Sequence, residues 1–143
     1  MFTRHRCKLN HGWNADLKLL HLHLTKKLKD MKIIRNKYIP FKGFRAINLF
    51  GILFVRGNAE ISERTIRHET IHTKQMQEML YIFFYLWYCI EYVYRVFWYA
   101  WKVNKTKAKS AYHAISFERE AYANETKVGY PSYRKFWSWT KYF

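Results

Sequence analysis

Cysteine, glycine, proline and acidic residues are all scarce in this chain of 143 residues, which has two, five, two and ten of them respectively. Cys7 and Cys89 are far apart in sequence, so there is neither a disulfide framework nor a CxxC metal pair. A reducing compartment is therefore expected, and we predict a cytoplasmic protein, with membrane association left open. No glycine or proline occurs between Asn58 and Val128, which favours long helices in that part of the chain.

Positive charge dominates, because 26 lysines and arginines face only 10 acids and the net charge is +16. Such an excess predicts affinity for an acidic partner, which could be nucleic acid, an anionic membrane surface or an acidic substrate. No nucleic-acid-binding motif accompanies the charge. The sequence therefore disfavours nucleic acid as a partner and leaves a peptide or protein substrate and an anionic membrane surface.

By its composition, the chain divides into a basic, histidine-rich extension over residues 1–30 and a single domain over residues 31–143. Within the domain, apolar runs punctuated by glycine predict one or two strands, or a hairpin, around residues 44–56. A helix is predicted to begin after an N-cap at Ser62, and a second helix to cover residues 110–127. These elements predict an α+β fold that is mainly α.

Residues 79–101, MLYIFFYLWYCIEYVYRVFWYAW, form the most apolar and aromatic segment. A transmembrane helix needs roughly 20 apolar residues without charge, whereas here Glu91 and Arg95 interrupt the run. These two residues are four apart and can pair on one face of a helix. The pattern favours a long buried helix with a satisfied ion pair, and the alternative is a helix embedded in a membrane or lying on it.

The segment RHETIHTKQM, residues 67–76, contains the motif HExxH. On a helix His68 and His72 project from the same face, so two imidazole nitrogens can reach one metal ion. Glu69 follows the first histidine and could act as a general base toward a water molecule. The motif therefore predicts a site for one Zn²⁺ with a catalytic glutamate beside it.

A catalytic zinc site needs a third protein ligand. His113 is one candidate, while Glu91 is expected to pair with its arginine and Glu78 lies too far along the motif helix. Glu118 and Glu120 on the second helix are two apart and point about 200° from one another, so only one of them can face the metal. The other is expected to face solvent or to balance the neighbouring Arg119 and Lys127.

The spacing HExxH followed by a later helix with a glutamate resembles the gluzincin metallopeptidases. The segment FEREAY, residues 117–122, is similar to the F-E-x-x-A-D segment of type I CAAX prenyl proteases and related membrane zinc proteases. The resemblance covers residues 61–122 and is closest to a stripped-down core of the kind found in small HExxH proteins. It implies a zincin-like fold, Glu118 as the third zinc ligand, and Tyr122 in place of the aspartate that orients a ligand histidine.

The same resemblance implies that a strand beside the site pairs with an extended substrate, since gluzincins present an edge strand there. GILFVRGN, residues 51–58, is the candidate, and an ordinary core strand is the alternative. An additional donor should stabilise the oxyanion. His113, Tyr112, Tyr122 and Tyr130 are available near Glu118, and His113 and Tyr130 rank first.

Together these features predict a zinc-dependent metallopeptidase that hydrolyses peptide bonds. Two alternatives stay open. The zinc could have only a structural role, in which it joins two helices of a catalytically inactive module. The chain could also be a basic, aromatic protein that binds membranes or nucleic acid, in which HExxH is accidental.

Overall fold

A computed structural model of the protein describes residues 31–40, 43–103 and 108–143. The predictions for the extension over residues 1–30 lie outside the described part of the chain. The elements are three strands, β1 (Lys32–Asn36), β2 (Ala46–Leu49) and β3 (Ile52–Arg56), five helices, α1 (Glu63–Glu78), α2 (Ile82–Val103), α3 (Ala108–His113), α4 (Ser116–Asn124) and α5 (Tyr130–Tyr133), and a 3₁₀ helix (Ser138–Tyr142). The predicted α+β fold that is mainly helical is confirmed.

The three strands form one small sheet in the order β1-β3-β2. β2 and β3 make an antiparallel hairpin, as predicted, in which Leu49 pairs with Ile52. The turn residues Phe50 and Gly51 both have positive φ, of 52° and 81°, which is the geometry of the tight turns that join twisted strands. β1 runs parallel to β3 on its other side. The predicted substrate strand GILFVRGN is therefore the central strand, and β2 is an edge strand.

Helix α1 carries the HExxH motif and begins at the predicted N-cap, where the Ser62 hydroxyl accepts a hydrogen bond from the backbone N–H of Thr65. Its buried residues recur at helical spacing, and they are His68, Ile71, His72, Gln75 and Met76. Asn48 of β2 donates from Nδ2 to the backbone oxygen of Glu69 and to Oγ1 of Thr73, at 2.7 and 2.9 Å. These hydrogen bonds hold the edge strand beside the motif.

The long helix that the lack of glycine and proline favours is interrupted, because α1 ends at Glu78 and α2 begins at Ile82. Leu80 and Tyr81 between them have positive φ, of 51° and 59°, which costs each of these residues about 1–2 kcal/mol. The break allows the side of α2 that bears Phe84 to pack against the core, where Phe84 lies 4.7 Å from Phe117 between ring centroids. Tertiary packing therefore overrides the uninterrupted helical pattern of the sequence.

The predicted helix over residues 110–127 is two helices, α3 and α4. After α4 ends at Asn124, the chain reaches Gly129, whose φ of 82° lies in the left-handed region.

The predicted pair of Glu91 and Arg95 forms, with 3.0 Å between Oε1 and Nη2. Glu91 also accepts hydrogen bonds from the backbone N–H and the hydroxyl of Ser116. This buried carboxylate therefore joins α2 to the start of α4.

Helix α2 is buried on one side only, which corrects the expectation of a buried helix. Phe84 and Glu91 lie inside, while Phe97 and Trp101 are 70% and 84% exposed. In the part of the chain that the structure describes, no helix combines the length and apolar character needed to cross a bilayer.

Candidate metal site

Two helices bring three potential metal ligands together in the interior. α1 supplies His68 and His72, and α4 supplies Glu118; all three side chains are buried. The two Nε2 atoms are 3.0 Å apart, Nε2 of His68 lies 3.4 Å from Oε2 of Glu118, and Nε2 of His72 lies 3.3 Å from Oε1 of Glu118. One nitrogen from each histidine and one carboxylate oxygen could therefore hold a metal ion together.

The outer nitrogen of His68 is held by a carboxylate that the sequence analysis did not identify. Nδ1 of His68 lies 2.9 Å from Oε2 of Glu125, and both side chains are buried. Glu125 is itself held by the guanidinium of Arg64, whose Nε donates to Oε1 at 2.8 Å. Because an ionised carboxylate only accepts hydrogen bonds, His68 carries its proton on Nδ1, and Nε2 presents a lone pair to the site.

The outer nitrogen of His72 is fixed in the same way by an amide. Nε2 of Gln75 donates to the backbone oxygen of Phe117 at 3.1 Å and to Oε2 of Glu120 at 2.9 Å. These two acceptors assign the nitrogen end of the amide, so Oε1 of Gln75 faces Nδ1 of His72 at 2.7 Å and accepts its proton. In its neutral form, His72 therefore also presents the lone pair of Nε2 to the site.

Glu118 completes a cluster of lone pairs that attracts positive charge. Its Oε2 is buried without a hydrogen-bond partner among the described residues. Burial opposes its ionisation, but His72 and His68 hold the pKa of Glu118 well below its usual range. Burial likewise tends to lower the pKa of His72, but the Glu118 carboxylate raises it to about 9. Two lone-pair nitrogens and a carboxylate at 3.0–3.4 Å repel one another unless a proton or a metal cation lies among them.

Glu69 lies beside the ligands without being one of them. It lines a cavity of about 250 Å³ together with His72 and Glu118. Burial raises the pKa of Glu69, against the opposing effect of the two histidines. The cavity is bounded on the opposite side by β2 and by aromatic residues of α2. A small molecule or a peptide segment that enters this cavity would meet Glu69 and two of the three ligands.

Two phenols face the same cavity. Tyr88 of α2 donates from its hydroxyl to Oε1 of Glu118 at 2.9 Å. Tyr112 of α3 also lines the cavity. Burial and the neighbouring Glu118 carboxylate raise the pKa of Tyr88 and of Tyr112 above its usual range, so both phenols keep their protons as hydrogen-bond donors. Tyr112 was among the donors available from the sequence, whereas Tyr88 was not.

The two first-ranked oxyanion donors lie elsewhere. Tyr130 donates its hydroxyl proton to Oε1 of Glu120 at 2.8 Å, away from the cavity. His113 is exposed and packs on the ring of Tyr122, with 4.7 Å between the ring centroids. Tyr122 in turn packs edge-on against His68 at 4.7 Å. Tyr122 therefore contacts a ligand histidine through its ring, while the hydrogen bond to that histidine comes from Glu125.

Glu120 is fully buried, so it does not face solvent, and the cation that balances it is Arg134 rather than Arg119 or Lys127. It accepts from Nε of Arg134 at 2.6 Å and from Nη2 at 2.9 Å. Arg134 also pairs with Glu78 of α1. Since Glu120 accepts from Gln75 as well, this buried ion network extends directly to the partner of His72.

Some of these supporting residues have a local signal in the sequence. Gln75 is three residues after His72, and Glu125 is seven after Glu118, so helical spacing brings each near the face that carries the ligand. Tyr88 and Asn48 have no such signal, because they approach from elements distant in sequence. Comparison of the chain with protein-family models, with curated proteins and with solved structures finds no match. The assignment of a function therefore depends on the geometry of the site itself.

Proposed function

We propose that the protein is a zinc-dependent metallopeptidase with a zincin-like core, in which His68, His72 and Glu118 bind one Zn²⁺. The carrying observation is the spacing of the donor atoms: the two Nε2 atoms are 3.0 Å apart, Oε1 of Glu118 lies 3.3 Å from His72, and Oε2 lies 3.4 Å from His68. One donor atom from each residue lies within 4.8 Å of the other two. Two ligands at about 2.0–2.1 Å from a tetrahedral zinc ion lie about 3.3 Å apart. The two imidazole lone pairs and the buried, unpaired oxygen of Glu118 match the donor set that zinc prefers.

The cavity supports a catalytic rather than a structural site. A structural zinc site is closed by four protein ligands, whereas a catalytic site keeps one position open. Only three ligands gather among the described residues, and the cavity reaches two of them. Zinc bound there would supply a Lewis acid, which polarises the substrate carbonyl and lowers the pKa of water.

The residues of the chain would perform the proton transfers and the positioning. Glu69 would take a proton from a water molecule in the cavity and return it to the nitrogen of the leaving amine. Tyr112 would donate a hydrogen bond to the oxygen that becomes negative when the peptide carbonyl is attacked, while the hydroxyl of Tyr88 would continue to donate to Glu118. Glu125 and Gln75 would keep the two imidazoles in the ligand tautomer.

Strand β2 supports an extended substrate. The backbone N–H of Arg56 donates a hydrogen bond to the oxygen of Arg45, so these two residues are a hydrogen-bonded pair of the hairpin. In an antiparallel pair of strands, every second pair of opposite residues is hydrogen-bonded in this way. In this register the backbone groups of Ala46 and Asn48 point away from β3, toward the free edge of the sheet. Both residues line the cavity. A peptide could therefore add to β2 as a strand and lie across the site.

Zinc content and peptide hydrolysis together test this proposal. We expect one zinc per chain in the wild type and in Glu69→Gln, and little in His72→Ala or Glu118→Ala. Cleavage of a fluorescence-quenched peptide library should fall about 10²–10⁴-fold in Glu69→Gln, which keeps the metal but loses the base. Glu63→Gln is the matched control, because Glu63 lies exposed on the same helix.

The two ways in which this test can fail have different consequences for the proposal. A wild-type chain without zinc after refolding with the metal overturns the metal site itself. Zinc in the wild type without any cleavage, and with Glu69→Gln indistinguishable from it, favours a structural zinc that joins α1 to α4.

A further inference from the structure

The outer side of helix α2 is a continuous apolar surface. Ten large apolar side chains between Ile82 and Trp101 are exposed: Ile82, Phe83, Leu86, Trp87, Ile90, Val93, Tyr94, Phe97, Trp98 and Trp101. They recur at spacings of three and four, so they cover one face of a helix of 22 residues, about 33 Å long. We call this set the outer face of α2. Among the described residues, Trp139 and Phe143 pack against Trp87 at one side of this face, and the rest of it is exposed.

The opposite side of α2 is fixed to the domain. Phe84 packs into the core, and the buried Glu91 is bonded to Arg95 and to Ser116. Since these contacts hold the helix along its inner side, a partner can reach only its outer face. A partner with a flat surface about as long as the helix could therefore contact the whole outer face of α2.

The charge around the outer face selects the kind of partner. The only acid between Met79 and Val103 is Glu91, which is 2% exposed, and there is none from Thr126 to Phe143. Exposed lysines lie on or near the face: Lys102 stacks over Trp98 at 4.4 Å, and Lys141 lies in the 3₁₀ helix. That 3₁₀ helix ends beside α2, where Phe143 lies 6.2 Å from Trp87 between ring centroids.

From these observations we propose that the outer face of α2 docks onto an anionic lipid bilayer, with the helix lying in the interface. Tryptophan and tyrosine are enriched at that depth because their rings are apolar and their N–H or O–H stays hydrated. Lysines at the rim would meet anionic headgroups. A second copy of the chain is a poorer occupant, because each copy has a net charge of +16 and the two would repel.

The inner side of the same helix lines the candidate metal site. Phe84, Tyr85 and Tyr88 bound the cavity, while Phe83 and Trp87 face outward. Docking through α2 would therefore hold the cavity close to the membrane surface. The docking itself follows from the exposed side chains and the charge, and it does not depend on zinc or on catalysis.

Vesicle flotation of the full-length protein tests this inference. The vesicles contain either phosphatidylcholine alone or equal parts of phosphatidylcholine and phosphatidylglycerol. We expect strong binding to the anionic vesicles, weakened by salt, and a loss of about tenfold or more in Phe97→Glu and in Trp101→Glu. Tyr38→Glu is the matched control, since Tyr38 is 75% exposed at the end of β1 and off this face. All three substitutions are at exposed positions and should leave the circular dichroism spectrum unchanged.

Three outcomes would overturn the inference. If Phe97→Glu binds anionic vesicles as well as Tyr38→Glu does, the basic residues alone hold the lipid. If the wild type ignores vesicles but forms a dimer in light scattering that Phe97→Glu dissociates, a second copy covers the outer face. Quenching of tryptophan fluorescence by brominated lipids adds a direct measure, and its absence in vesicle-bound protein would also contradict docking through Trp98 and Trp101.

Discussion

Replacing Glu125 separates its role at the proposed metal site from its role in the fold around it. The carboxylate accepts the Nδ1 proton of His68 at 2.9 Å, and the two side chains are only 6% and 9% exposed. Glutamine keeps an acceptor oxygen for this proton but loses the charge, whereas alanine removes both. Arg64, the other partner of Glu125, is 61% exposed and can be solvated again at little cost.

The expected magnitudes follow from these contacts. A hydrogen bond to a charged group contributes about 1.5–3 kcal/mol and a neutral one about 0.5–1.5 kcal/mol. Glu125→Gln should therefore lose about 1.4 kcal/mol, which is about tenfold in zinc affinity. Glu125→Ala should approach the hundredfold loss that removal of a histidine's outer partner can cause.

Competition against a chromogenic zinc chelator measures these affinities, and thermal unfolding of the same samples reports the fold. Glu63→Gln makes the same chemical change on an exposed residue and should bind zinc like the wild type. If folded Glu125→Ala also binds zinc as tightly as the wild type, Glu125 does not set the tautomer of His68, and the reasoning about the lone pairs fails.

Three further substitutions test other parts of the structure. Arg134→Met leaves two buried glutamates without their arginine and should lower the free energy of unfolding by about 3–5 kcal/mol. This loss should appear as a fall in Tm of about 10 °C or more. A loss of stability no larger than that of the exposed control Arg119→Met would contradict the buried network. Gly51→Ala should cost about 1–2 kcal/mol in urea unfolding, because φ is 81° and the new Cβ would lie 3.2 Å from a threonine methyl; unchanged stability would argue against the hairpin turn. Tyr88→Phe removes the donor to Glu118 and should weaken zinc binding about tenfold, and an unaltered affinity would mean that this phenol does not position the ligand.

The sequence predicted the features that depend on local spacing. The histidines of HExxH face one another because they are four residues apart on a helix, and Glu91 pairs with Arg95 for the same reason. The Ser62 cap and the hairpin around Gly51 likewise follow from residues next to one another in the chain. In each case one or two turns of backbone are enough to define the geometry.

The resemblance to gluzincins implied that Glu118 lies near the two histidines, and tertiary structure decided the other contacts that join distant segments. Glu125 reaches His68 across 57 residues, and Gln75 reaches Glu120 across 45. The left-handed residues at Leu80 and Tyr81 also follow from packing, since no local signal ends the helix there. Such contacts depend on which helix faces pack together, and many arrangements satisfy the same apolar pattern.

Tertiary structure also decided which strand lies at the edge of the sheet. The sequence predicted strands around residues 44–56 but not that β1 would add beside β3 and leave β2 free. Likewise, the apolar run of α2 favours a buried helix but is also compatible with a helix embedded in a membrane or lying on it. Only the packing of its inner side against the core determines which residues remain outside, because burial is a property of the whole fold rather than of a segment.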